Sequence, residues 1–139
     1  MPVVIINYWA VLVSAIAGMV IGALWYSPLL FGKIWMKLMN LTPEKMEEAK
    51  KKGMAKSYIT MFIGLLVMSY VLAHFVDYAQ ATTVLGGLTA GFWLWLGFIA
   101  TVMLGSVLWE GKPVTLYLIN VAHYLAVLIV MGIILAVWV

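Results

Sequence analysis

The sequence predicts an all-α protein: a four-transmembrane-helix bundle in which residues 1–139 form a single integral membrane domain. Its composition is the first indication, because 66% of the residues are hydrophobic and 9% are charged. Soluble domains average about 45–50% apolar and about 25% charged residues. The second indication is that four segments without any charge match or exceed the roughly 20 residues that a spanning helix needs. These segments are Met1–Gly32, Ser57–Val76, Tyr78–Trp109 and Pro113–Val139.

We expect the spans at about residues 3–26, 57–78, 84–109 and 114–138. Helices are predicted because four segments cannot close a barrel, and lipid offers no hydrogen-bond partner to an open sheet edge. The connections at Gln80–Thr83 and Glu110–Pro113 are short, so the spans that they join are antiparallel neighbours. Pro113 suits the first turn of the fourth helix.

The long link at residues 27–56 predicts two helices of its own. Ser27-Pro28 is typical of a helix start, and the following residues place apolar side chains on one face and Lys33 and Lys37 on the other. This pattern predicts an amphipathic helix that lies along the lipid headgroups. Thr42-Pro43 predicts the start of a second, charged helix. We interpret its charges as a solvated surface, with a partner-binding patch as the alternative.

The lysines predict the orientation in the cell membrane. All eight basic residues are lysines on one predicted side, and the side with both termini has none. The positive-inside rule therefore places the lysine-rich link in the cytoplasm and both termini outside. These lysines are Lys33, Lys37, Lys45, Lys50, Lys51, Lys52, Lys56 and Lys112.

This orientation is testable because the chain contains no cysteine. A single cysteine introduced at Gln80 should react with an impermeant thiol reagent in intact cells. A single cysteine at Lys51 should react only after the membrane is permeabilised. The reverse pattern would contradict the predicted orientation.

Small residues follow one face of the first and third spans and predict close helix packing. The residues of these faces are Ser14, Gly18, Gly22, Gly87, Gly91 and Gly105. Such faces let helix backbones approach each other in lipid. The sequence leaves open whether they meet within one chain or between the copies of a homo-oligomer, which we expect to form.

Four polar side chains of the fourth span form a candidate polar path: Tyr117, Asn120, His123 and Tyr124. They fall within an arc of about a third of a turn, and His123 lies about 15 Å past Pro113. A buried imidazole needs a polar partner. We expect the His123 ring inside the bundle or at a seam between copies, hydrogen-bonded to a polar atom of another helix or to an ordered water. The functional alternative is contact with a solute or a proton in a cavity. A metal site is disfavoured because no second ligand lies within sequence reach.

A second polar cluster lies near the outer end of the second span. Tyr70, His74 and Asp77 share one helical face there, and Asp77 is placed to orient His74. The alternative is a polar cap at a helix end. We interpret the tryptophans as interface belts, with Trp25, Trp35 and Trp109 inside and Trp9, Trp93, Trp95 and Trp138 outside.

The residue inventory argues against several functions. Without cysteine there is no disulfide, thiolate nucleophile or thiolate metal site. The serines have no nearby base and the spans contain no pair of carboxylates, so we expect no enzymatic activity and no cofactor. The lysines are too few for a nucleic-acid surface. The lipid bilayer is the one partner that the composition predicts directly.

Several segments resemble a known family of small four-span membrane proteins from bacteria and fungi, catalogued as domain-of-unknown-function family number 1761. The most specific segment is Trp25-Tyr26-Ser27-Pro28-Leu29-Leu30-Phe31-Gly32-Lys33, followed by Trp35. Weaker matches are Asn7–Val11, Met54–Tyr58, Trp95–Phe98, Trp109–Lys112 and Leu118–Tyr124. The resemblance covers nearly the whole chain. It implies the fold and a membrane location, and it implies no activity.

Two functions are consistent with these features. The first, which we favour slightly, is a small homo-oligomeric transporter or channel for an unknown solute, with the polar face of the fourth span as its path. The second is a non-transporting membrane module that organises lipids or partner proteins. A polar cavity that reaches the middle of the membrane would favour transport, and a dry bundle would favour the module.

Overall fold

The computed structural model describes residues 3–138, which form helices and no strands. Four helical segments are long and apolar enough to cross a membrane, which confirms the predicted four-span bundle. The helices are α1 (Tyr8–Trp25), α2 (Gly32–Leu38), α3 (Pro43–Lys52), α4 (Ala55–Tyr78), α5 (Val84–Trp95), α6 (Gly105–Leu108) and α7 (Val114–Val137). The third span, Val84–Leu108, comprises α5, α6 and the irregular turns between them.

The first span begins later than its hydropathy predicts. Residues 3–7 are not helical, and Asn7 caps α1 by accepting hydrogen bonds from the backbone N–H groups of Trp9 and Ala10 at 3.1 and 3.3 Å. An Asn side chain in this position satisfies N–H groups that have no partner inside the helix. The polar cap therefore sets the start of α1. Predictions for residues 1, 2 and 139 lie outside the described residues.

Helix α7 lies at the centre of the bundle and packs against α5, α1 and α4. The side chains of Val127 and Met131 on α7 are fully buried, as are Ala15 on α1 and, almost completely, Leu72 on α4. This apolar core fills the half of the bundle toward the C-terminal end of α7.

The small-residue faces are used mainly for packing within the chain. A Cβ atom at Gly87 would overlap the carbonyl of Gly132, and one at Gly91 would overlap the carbonyl of Leu128. Backbones of α5 and α7 are therefore in direct contact, as the spacing of small residues in membrane helices allows. This α5 face is consequently covered by α7 and is not free for a second copy.

The other small residues have different neighbours. A Cβ atom at Gly18 would lie 3.0 Å from the Cε atom of Met131, and one at Gly22 would lie 3.3 Å from Nε2 of His123. Ser14 is fully buried on the same helix. Among the described residues, a Cβ atom at Gly105 would approach only the Trp109 side chain of its own segment within 4 Å.

The third span is not the continuous helix that the sequence predicts. Helix α5 ends at Trp95 and is followed by a π-helical turn at Leu96–Ala100 and a 3₁₀ turn at Val102–Leu104. Such turns disturb the regular backbone hydrogen bonds. The Tyr117 hydroxyl donates to the Ala100 carbonyl at 2.6 Å. A side chain of α7 thereby supplies the partner that a disturbed backbone needs inside a membrane.

Ser27-Pro28 does not begin the first helix of the link, because α2 starts at Gly32. The Ser27 hydroxyl instead donates backward to the Leu24 carbonyl at 2.6 Å, and the Gly32 N–H donates to the Ser27 carbonyl at 2.9 Å. A Cβ atom at Gly32 would overlap the backbone of Tyr26 and Ser27. This tight turn folds α2 back beside the end of α1. That α2 lies along the membrane surface stays a prediction.

The second link helix agrees with its predicted signals. The Thr42 hydroxyl accepts from the Lys45 N–H at 3.2 Å, and Pro43 occupies the first turn of α3. Gly53 ends the helix with a positive φ of 88°, which glycine adopts readily.

Candidate functional site

Aromatic side chains from the end of α1 and from the link cluster beside α7. The Trp25 and Phe31 ring centroids are 5.1 Å apart, and the Tyr26 and Trp35 rings meet edge to face at 5.4 Å. The tight turn before α2 brings these residues together, since it returns the chain toward α1. The segment that carries the family resemblance therefore builds one wall of a site.

Hydrogen bonds fix this wall to the fourth span. The Tyr26 hydroxyl donates to Oδ1 of Asn120 at 2.7 Å, and the indole N–H of Trp25 donates to the Ile119 carbonyl at 3.0 Å. From the other side of α7, the indole N–H of Trp95 donates to the Val121 carbonyl at 2.7 Å. Trp25 and Trp95 are therefore hydrogen-bonded to helix α7, and their assignment to interface belts stays a prediction.

His123 lies inside the bundle, as expected, with 5% of its surface exposed. Its ring centroid is 4.8 Å from that of Tyr124, 5.1 Å from that of Tyr26 and 6.3 Å from that of Trp25. Gly22 leaves the space that Nε2 occupies.

The expected hydrogen bond from another helix to His123 is not formed. Neither ring nitrogen has a hydrogen-bond partner among the described residues. The physical reason is that its neighbours present aromatic rings, while the hydroxyl of the neighbouring Tyr26 donates to Asn120 instead. His123 is therefore an unpaired polar group, which is energetically unfavourable when it is buried.

A cleft of about 360 Å³ opens beside this cluster at the end of the bundle that carries Lys112. Along α7 its wall is formed by Leu116, Asn120 and Tyr124, whose four-residue spacing is that of one helix face, and Lys112 lies in the turn just before this helix. The remaining wall comes from α1, the link and the third span. The lining residues are Tyr26, Trp35, Met39, Met103, Ser106, Lys112, Leu116, Asn120 and Tyr124.

The predicted polar path is thus divided by the structure. Asn120 and Tyr124 line the cleft, whereas His123 lies behind Tyr26 and Tyr124, and Tyr117 is bonded to the third span. Beyond Tyr124, α7 has no polar side chain up to its end at Val137. No polar side chain of α7 therefore continues the predicted path past Tyr124.

The outer cluster is only partly assembled. The Tyr70 and His74 rings meet edge to face at 4.7 Å, and Nδ1 of His74 lies 2.8 Å from the Tyr70 carbonyl of the same helix. Asp77 does not pair with His74 and instead lines a separate outer cleft of about 370 Å³, together with Asn7 and Gln80. The expectation that Asp77 orients His74 was therefore wrong, because the ring already has a backbone partner.

Sequence reasoning missed part of the cleft wall. It assigned Trp35 to an interface belt and did not assign Ser106 or Lys112 to any site, yet all three line the cleft. For Lys112 a signal was present in the sequence, because Lys112, Leu116 and Asn120 follow one another at intervals of four residues.

The chain belongs to the protein family of unknown function DUF1761, whose model matches residues 9–136. The match includes every residue that lines the cleft. No curated protein and no solved structure matches the chain.

Proposed function

We propose that this membrane protein is a non-transporting binding module that holds an amphiphilic molecule in the cleft beside Lys112. The observation that carries the proposal is the form of the cleft. It opens at one end of the bundle, is lined by both polar and apolar side chains, and lies along α7, which has no polar side chain between Tyr124 and its end at Val137. Such a site favours holding a ligand over passing it across the membrane.

Several contacts support a preformed site. The bond between Tyr26 and Asn120 and the bond between Trp25 and Ile119 join the two walls before any ligand is present. A site whose side chains are already held in place loses little conformational entropy on binding. The arrangement therefore suits a receptor for a molecule that arrives from the surrounding leaflet.

Transport by a homo-oligomer is the second candidate, and the position of Tyr124 favours it. This residue lies ten positions past Val114, which corresponds to about 15 Å along the helix, so the cleft extends far into the membrane. A complete path would still need polar side chains beyond Tyr124, and a second copy would have to supply them.

A blocking variant tests the binding module. Ser106→Trp places a large side chain in the cleft, whereas Leu108→Trp on the same short helix adds one at an exposed position outside it. We expect the wild type and Leu108→Trp to retain an amphiphile after purification in mild detergent, as counted by native mass spectrometry, and Ser106→Trp to lose it.

Circular dichroism and thermal unfolding of both variants control for misfolding. Retention of the same amphiphile by well-folded Ser106→Trp would contradict the proposal. Flux of a solute into proteoliposomes that contain the wild type, abolished by Ser106→Trp, would favour transport instead.

A further inference from the structure

We infer that the cleft binds an anionic membrane phospholipid, with the lipid phosphate at Lys112 and the lipid ester carbonyls at Asn120 and Tyr124. This inference rests on the proposed function and adds the chemical class of the ligand. It is carried by three features of the cleft: its unpaired hydrogen-bond donors, the order of those donors along α7, and the apolar side chains between them.

The cleft has hydrogen-bond donors that its own acceptors leave unpaired. The Lys112 ammonium, the Asn120 amide nitrogen and the Tyr124 hydroxyl form no hydrogen bond or ion pair within residues 3–138. The amide oxygen of Asn120 already accepts from Tyr26. Ammonium and amide N–H groups donate only, so they need a ligand that accepts hydrogen bonds. Phosphate and ester oxygens meet that need.

The charge of the cleft favours an anion. Among residues 3–138, Lys112 is the one charged residue in its wall, and no carboxylate lines it. A hydrogen bond from an ammonium group to a phosphate oxygen is among the stronger ones, because donor and acceptor are both ionised. A cationic headgroup would face Lys112 with no carboxylate to compensate the repulsion.

The order of the donors matches the order of polar groups in a phospholipid. Lys112 precedes α7 at the end of the bundle, and Asn120 lies six residues past Val114, about 9 Å along the helix. A phosphate bound at Lys112 places the ester groups on the inner side, toward Asn120 and Tyr124. A free phosphate ion would engage Lys112 and leave the deeper donors without an acceptor.

The remaining wall suits hydrocarbon. Met39, Met103 and Leu116 line the cleft between the polar groups, and Met side chains adapt to irregular apolar ligands. Trp35 is also part of this wall, and an indole ring is favoured at the level of lipid headgroups. A lipid therefore finds partners in the cleft for its phosphate, its esters and the first part of its chains.

The inference is tested by lipid titration of delipidated protein followed by native mass spectrometry. Phosphatidylglycerol and phosphatidylcholine with identical acyl chains are compared on the wild type, on Lys112→Gln and on Lys51→Gln. Lys51 is an exposed link lysine outside the cleft and serves as the matched control. Both lipids offer the same phosphate and esters, but only phosphatidylcholine brings a quaternary ammonium close to Lys112. We expect this like-charge repulsion to make the wild type prefer phosphatidylglycerol about tenfold.

The Lys112→Gln variant should lose most of that preference and Lys51→Gln should keep it. Equal binding of both lipids by the wild type would overturn the headgroup inference, while loss of both lipids in Ser106→Trp would still support the proposed function. No lipid bound to the wild type would overturn both. An equal loss of preference in the two lysine variants would overturn the role of the cleft.

Inorganic phosphate and glycerol phosphate form the last arms of the titration. We expect neither to displace phosphatidylglycerol at equal concentration, since they lack ester carbonyls and chains. Full displacement by either would show a site for a free anion and would overturn the assignment to a membrane lipid.

Discussion

Gly91→Leu should lower the free energy of unfolding by at least about 3 kcal/mol, more than the usual cost of overpacking a core. The reason is that a Cβ atom at Gly91 overlaps the backbone carbonyl of Leu128, which cannot move without separating α5 from α7. The measurement is denaturation of the purified protein in mixed micelles, with helical content as the signal.

The matched control is Gly64→Leu in the middle of α4. A Cβ atom at Gly64 meets nothing within 4 Å, and this glycine is exposed on the bundle surface. We expect that variant to unfold like the wild type or to be slightly more stable, since it removes a helical glycine. Similar losses of stability in both variants would show that α5 and α7 are not in backbone contact.

His123→Leu should raise the free energy of unfolding by about 1–3 kcal/mol, the cost of a buried polar group that lacks a partner. The imidazole is 5% exposed and neither of its nitrogens is hydrogen-bonded within the described part of the chain. Leucine is of similar size and brings no polar atom into the site. This direction is opposite to the one that a hydrogen-bonded His123 would give.

His74→Leu is the control for this substitution. Nδ1 of His74 lies 2.8 Å from the Tyr70 carbonyl, and its ring is only half-buried. Its replacement loses a satisfied contact and should leave stability unchanged or lower it slightly. A marked loss of stability in His123→Leu, measured by thermal unfolding in the same detergent, would mean that the ring has a partner and would contradict the described environment.

The four spans were predictable because their signal is simple. A helix that crosses the bilayer must be long and apolar with few charges, and the chain meets these conditions at residues 8–25, 55–78, 84–108 and 114–137, where the charged residues are Lys56 and Asp77 near the two ends of the second span. The ends of elements were less predictable. Ser27-Pro28 resembles a helix start, but the Ser27 hydroxyl donates backward to the Leu24 carbonyl. Whether this hydroxyl caps a new helix or closes the preceding one depends on the tertiary position of α2, which begins only at Gly32.

The irregular turns of the third span have only a weak local signal, Gly97, whose carbonyl accepts from the Thr101 hydroxyl at 2.6 Å. The Ala100 carbonyl accepts from a donor on another helix, the Tyr117 hydroxyl. A pattern along one helix contains no information about such a partner. For the same reason, the sequence showed that four polar residues share one arc of α7. It did not show that Asn120 and Tyr124 line the cleft while His123 and Tyr117 do not.

The candidate site shows the same limit for aromatic residues. A tryptophan near the end of a span suits the lipid interface. The indole N–H groups of Trp25 and Trp95 also donate hydrogen bonds to backbone carbonyls of α7. Backbone acceptors are present at every residue, so the sequence cannot indicate which of them an indole will reach. The close packing of Gly22 against His123 is likewise a property of the assembled bundle.

Protection of a single cysteine tests most directly whether the cleft is a binding site. The chain has no cysteine of its own, so Ser106→Cys in the cleft and Leu108→Cys outside it can be labelled cleanly. Delipidated protein is treated with a small thiol reagent before and after addition of phosphatidylglycerol at one to two equivalents. The account predicts that the lipid slows labelling at position 106 and leaves the rate at position 108 unchanged. Equal rates at position 106 with and without lipid, or equal protection at both positions, would contradict it.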